Sequence, residues 1–154
     1  MTNYPLIGQL LPHDEPMILI DRALDIQKNA IHCQVDIGDK NPFFNPESQT
    51  IPAYVGIEFM AQSVAAWSGY HAMQNGQQPP IGFLLGSRRY TSHCDTFEQG
   101  QILDVYADKL MEDSGMAVFS ARIELDQQTI ATCQLNVYVP SEKKLQEMKI
   151  RSQQ

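Results

Sequence analysis

Between Ala53 and Trp67 the only polar side chains are Glu58, Gln62 and Ser63, so this stretch is apolar almost all the way round. The pattern predicts a helix over residues 53–70 that sits in a core, because a helix with no wide polar face is normally buried. Residues 29–37 behave differently. Ile31, Cys33, Val35 and Ile37 alternate with polar neighbours, which predicts a half-buried strand. Four more strands are expected at about 81–91, 101–112, 115–126 and 129–139, with the tight connections Asp113-Ser114-Gly115 and Asp126-Gln127-Gln128 suiting hairpins. Residues 17–21 form a short apolar run after the proline-flanked turn Pro12 to Pro16, and residues 39–50 read as a loop around Phe43-Phe44. After the helix, residues 74–80 are an unambiguous stop and Pro140 ends the last strand. One long apolar helix followed by a run of strands predicts an α+β domain, a curved antiparallel sheet wrapped round a central helix. A single sheet covers only part of such a helix, so a dimer is expected to complete its burial.

Composition narrows this picture. With 154 residues, 43% hydrophobic and 19% charged, the chain fits one domain over residues 1–140 with a polar tail at 141–154. No apolar run is long enough for a bilayer, and the opening Met1 to Pro5 reads as a plain cytoplasmic start. A net charge of −7 argues against broad nucleic-acid binding. The three cysteines are widely spaced, which predicts free thiols and no metal site. No nucleotide loop, metal motif or flavin signature appears, so no bound cofactor is expected.

The chemistry is expected on the helix. Burial of a carboxylate there would push its pKa upward, toward the range useful for proton transfer, which makes Glu58 the candidate acid or base. Gln62, one turn on, is placed to orient it, and Ala65 and Gly69 continue that stripe with small residues that leave room for a ligand. Arg88-Arg89 is the one basic pair in the middle of an acidic chain.

At the level of motifs the chain resembles the hot-dog-fold 3-hydroxyacyl-acyl-carrier-protein dehydratases. It is most similar to the dehydratase-like subunits of aryl polyene pigment clusters. Leu11-Pro12-His13 and Asp21-Arg22, closing the run from Met17, carry the N-terminal part of the resemblance. Asn41 to Phe44, then Pro52, Glu58, Met60, Ala61 and Gln62, carry the centre, and Gly82 to Gly86 and Gln99-Gly100-Gln101 the later part. One departure stands out. The family pattern places a catalytic His just after the paired Phe, whereas here Asn45 to Thr50 contains none.

The resemblance implies dehydration of 3-hydroxyacyl thioesters on acyl carrier protein, with the acyl chain borne on the carrier's phosphopantetheine. It implies Glu58 and an imidazole, for which His13 is the favoured candidate, as catalytic groups. The backbone N–H of Ala53, standing where some family members have glycine, is implied as an oxyanion donor; Arg88 and Arg89, locally positive in a chain of net charge −7, are expected to contact the phosphopantetheine or an acidic carrier protein. His32 is expected on the outer side of its strand, and His71 about 20 Å along the helix from Glu58; His93 stays open. Two other readings share the fold: an acyl thioesterase, and a binding subunit that scaffolds a heterodimeric dehydratase. The dimer is therefore expected to be either a homodimer or a pairing with a second hot-dog subunit.

Overall fold

The computed structural model describes residues 4–77 and 83–138. A single helical turn, α1 (Ile7–Leu10), precedes β1 (Arg22–Ile26) and β2 (Ala30–Asp36). Then come β3 (Thr50–Pro52), a 3-10 turn (Ala53–Val55) and the long helix α2 (Gly56–Gln74). The remaining strands are β4 (Phe83–Ser92), β5 (Thr96–Glu98), β6 (Ile102–Asp113), β7 (Met116–Leu125) and β8 (Gln128–Tyr138). Six strands form one antiparallel sheet in the order β1-β2-β6-β7-β8-β4, and β3 pairs with β5 beside it. The helix α2 contacts all six strands of the large sheet, so the sheet wraps round it as the pattern predicts. The tail at 141–154 lies outside the described residues.

The hairpins follow from their turns. Ser114 and Gly115 both have positive φ, as do Asp126 and Gln127. Two-residue loops of this kind match the right-handed twist of the flanking strands. The helix ends as its sequence predicts. Gly76 takes φ +71°, its N–H reaches the Met73 carbonyl, and the Gln77 N–H reaches Ala72. This is the Schellman arrangement, which glycine adopts without a Cβ penalty. Phe59, Met60 and Val64 of α2 meet Leu103, Val105, Phe119, Ile123 and Leu135 from the sheet, all essentially buried. Each such side chain contributes roughly 1.5–3 kcal/mol by leaving water.

Two expectations change. The apolar run at 17–21, read from the resemblance as the family's first strand closed by Asp21-Arg22, is not a strand; β1 begins at Arg22, where that run ends. The reason is local. Leu19 donates its N–H to the Gln62 side chain (2.8 Å) and the Met17 carbonyl accepts from the same amide (2.6 Å), so these groups are not available to a ladder. The second change concerns Glu58: its own sheet covers only part of α2, as expected, but the carboxylate lies on the uncovered part. Tyr54 is 66% exposed and Glu58 is exposed, while Ile57, Ala61, Ala65 and Ser68 are partly so. At steps of three and four residues these positions share one helix face, and the chain's own sheet leaves that face bare.

Candidate active site

The start of α2 is assembled from three pieces of chain. Pro52 pairs with Thr96, and one step on the Ala53 N–H donates to the Asp95 carbonyl at 2.9 Å. From the other side the Tyr90 hydroxyl donates to the Ala53 carbonyl. Tyr90 reaches this point because β4 carries a bulge between Arg88 and Thr91, with Arg89 at φ +59°. An extra residue in a strand re-aims the side chains around it. A Cβ on Gly56 would lie 2.5 Å from the Tyr90 oxygen, so glycine there makes way for the phenol. Burial, reinforced by the nearby Cys94 thiol, pushes the Tyr90 phenol up to about 12. At neutral pH it is a donor and a pin.

Ala53 is consequently not the free oxyanion donor expected, since its N–H is already bonded to Asp95. Neither the 3-10 turn nor α2 has a side-chain cap. The first turns of a helix leave N–H groups without intrahelical partners, and they carry the positive end of the helix dipole. Tyr54 is in that position.

Glu58 follows about 6 Å further along, at 1.5 Å per residue. It faces solvent on the bare stripe, so the burial expected to desolvate it is not supplied by its own chain. Gln62 does not orient it. Its amide is 2% exposed and holds Met17 and Leu19, which fixes the N-terminal segment against the helix. Nor is Gly69 open space for a ligand. A Cβ there would lie 2.0 Å from the Leu10 carbonyl, so backbone fills the gap.

These two contacts also locate His13. Its loop is tied to α2 at Gly69 through Leu10 and at Gln62 through Met17, both C-terminal to Glu58. Its Nδ1 is buried without a hydrogen-bond partner among the described residues. His93 is exposed and lies two residues before Asp95, on the segment that abuts the helix start. His71 is bonded through Nε2 to the Gln27 carbonyl (2.9 Å), far along α2, as its distance from Glu58 requires. His32 lies on the outer side of the sheet, 2.7 Å from Asp104 and stacked on Tyr106.

Asp21 and Arg22 are structural. Asp21 accepts from the Asp36 N–H (2.7 Å), and the Arg22 guanidinium grips Asp36 through two bonds and holds its carboxyl below the usual carboxylate range. Asn45 closes residues 45–50 into a turn, its Oδ1 accepting from the N–H groups of Glu47 and Ser48. Arg88 and Arg89 are exposed beside the Tyr90 pin. Sequence reasoning missed Tyr90 and Asp95, which define the helix start; the bulge that aims Tyr90 contains no glycine to announce it. All three cysteines are free. No helix among the described residues is long and apolar enough to cross a membrane.

Comparison with known proteins gives a consistent result. The ApeP-like family, described as ApeP dehydratase, matches residues 5–149. Among curated proteins the chain is 26% identical over 132 residues to the 3-hydroxyacyl-[acyl-carrier-protein] dehydratase FabZ of Chlamydia pneumoniae, covering 82% of this chain and 85% of that one. Among solved structures it matches the dehydratase heterocomplex ApeI:P from Xenorhabdus doucetiae with TM-score 0.86 and 30% identity, covering 95% and 98% of the two chains. A hypothetical thioesterase from Streptococcus pneumoniae, solved with coenzyme A, shares the fold alone, at TM-score 0.61 and 8% identity over 78% and 85% of the chains.

Proposed function

Because this chain belongs to the ApeP-like dehydratase family, we propose that it removes water from 3-hydroxyacyl thioesters held on an acyl carrier protein. A base takes the C2 proton, the electron pair left behind forms the C2–C3 double bond, and the C3 hydroxyl leaves protonated as water. Glu58 is the group of this chain that exchanges protons with the substrate. The N–H of Tyr54, at the positive end of the helix dipole, receives the thioester oxygen, where negative charge develops during C2 deprotonation.

The observation that carries this reading is the position of Glu58, one turn inside an uncapped helix start and on the stripe the sheet leaves bare. That placement also supports a working unit of two hot-dog subunits. A second subunit over the stripe would exclude water from Glu58 and supply the imidazole absent from residues 45–50. The similarity to a dehydratase heterocomplex supports a partner of the same fold rather than a second copy of this chain. Arg88 and Arg89, exposed beside the helix start in a chain of net charge −7, are the contacts for an acidic carrier. The three free cysteines support a cytoplasmic setting.

The deciding experiment incubates the chain, alone and with a second hot-dog subunit, with a 3-hydroxyacyl-carrier protein and weighs the acyl group by mass spectrometry. Loss of one water that depends on Glu58 supports the proposal. Release of the free acid would make it a thioesterase. Water loss indifferent to Glu58 would reduce this chain to a binding subunit.

A further inference from the structure

Where the β6–β7 hairpin closes over the far half of α2 there is a cavity of about 150 Å³. Val64, Trp67 and Ser68 form its helix side, and Ala117, Phe119 and Val137 its sheet side. Only Ser68 and Glu112 interrupt the apolar lining. Protein interiors are close-packed, and an apolar space of this size leaves its walls without contacts on one side. The same hairpin leaves Leu110, Met111 and Met116 exposed. Apolar surface at this end of the molecule therefore lacks cover among the described residues.

The last strand runs out at this spot. Val137 is a wall of the cavity, and the next residue, Tyr138, pairs with Met116, beside the wall residue Gly115. Three residues span at most about 11 Å, so Ser141 falls within reach of the opening. From there the sequence has the marks of a short helix. Pro140 precedes a serine suited to the N-cap, Glu142 follows in the first turn, and Lys149 and Arg151 come at the end, as the helix dipole favours. Leu145 and Met148, three positions apart, share one face. A helix of about ten residues does not hold its shape alone in water and needs an apolar surface to lie on. Charge points the same way. Four of the chain's eleven basic residues and only two of its eighteen acidic ones fall at 139–154, so that segment carries +2 against −9 for the residues before it. At the cavity, Glu112 is a lining residue and Asp113 follows it into the turn, both exposed. Opposite charges this close to the chain's exit lie within a screening length of one another.

We propose that this cavity is the seat of the chain's own segment 141–151, which docks there as a short amphipathic helix. Leu145 and Met148 enter the apolar space, and the lysines turn toward Glu112 and Asp113. The seat does not depend on the catalytic reading of Glu58. Two measurements on the full chain test it. Zero-length carbodiimide coupling, mapped by mass spectrometry, should join Glu112 or Asp113 to Lys143, Lys144 or Lys149, with a yield that does not rise with protein concentration. Trp67, the only tryptophan of the chain and a wall of the cavity, reports the occupant by fluorescence. Leu145→Ser combined with Met148→Ser should red-shift its emission, ease its quenching by acrylamide and remove the cross-link, while cooperative thermal unfolding is retained. Absence of the cross-link, or an unchanged Trp67 emission in the double variant, overturns the proposal. Cross-links formed only between chains would assign the cavity to a second copy. Shielding of Trp67 that arises only when a hot-dog subunit is added would assign it to that partner. Either result also overturns the seat.

Discussion

The two sides of α2 are built from similar residues and are under different rules. On the side this chain covers, Phe59, Met60, Gln62, Ser63, Ala66 and Gly69 are buried against its own sheet and N-terminal segment. Ser63 bonds back to the Phe59 carbonyl (2.8 Å), Gln62 holds two backbone groups of the N-terminal segment, and Gly69 admits the Leu10 carbonyl. The other side carries Tyr54 and Glu58, which the chain leaves exposed, and Ala61 and Ala65, which it covers only in part. Hydrophobic character alone does not separate the two. What separates them is whether the residue's partners lie in this chain or outside it.

That contrast is sharpest at Glu58. Glu58→Gln should lower turnover of the assembled enzyme by roughly 10²–10⁴-fold, the usual worth of a positioned acid or base, while leaving the melting temperature in place. Steady-state kinetics and a thermal melt on the same sample check both halves, and a large drop in stability would erase the distinction between the sides. Gly69→Ala tests the opposite side. The added methyl meets backbone rather than a movable side chain, so a loss of about 1–3 kcal/mol is expected in denaturant unfolding. Tyr90→Phe removes the donor to the Ala53 carbonyl and should cost about 1–3 kcal/mol. It should also loosen the helix start, seen as faster hydrogen exchange at residues 53–56. The smallest effect belongs to Arg88→Ser with Arg89→Ser. It should weaken kcat/KM several-fold with a protein-borne substrate, with the loss shrinking as salt is raised, and leave a pantetheine-borne substrate unaffected.

The sheet was readable in the alternation of β2, β6, β7 and β8, because strands of seven residues or more show their period. The three-residue strands β3 and β5 are too short to show any, yet they place Asp95 against Ala53. Strand β1 was hidden by the apolar run before it, whose backbone bonds go to a glutamine more than forty positions away. The candidate site was legible in part. Glu58 stood out because a carboxylate interrupts an apolar helix. Its exposure did not, because an all-round apolar helix gives no sign of which face the later strands will take. Ala53 was misread for a related reason: the carbonyl that occupies its N–H arrives from a loop forty-two residues downstream.

The grip of Gln62 has a consequence for how this protein ages. Hydrolysis of its amide to an acid exchanges one nitrogen for one oxygen, a change of almost no volume. In this setting it would set an acceptor against the Met17 carbonyl and introduce a charge at a position 2% exposed. The N-terminal segment would then be held by one bond instead of two. The burial that would make such a lesion damaging also keeps water away from the amide. The residue whose chemical decay the fold tolerates least is therefore one that the fold shelters, and wear should begin elsewhere, among the exposed amides of the loops.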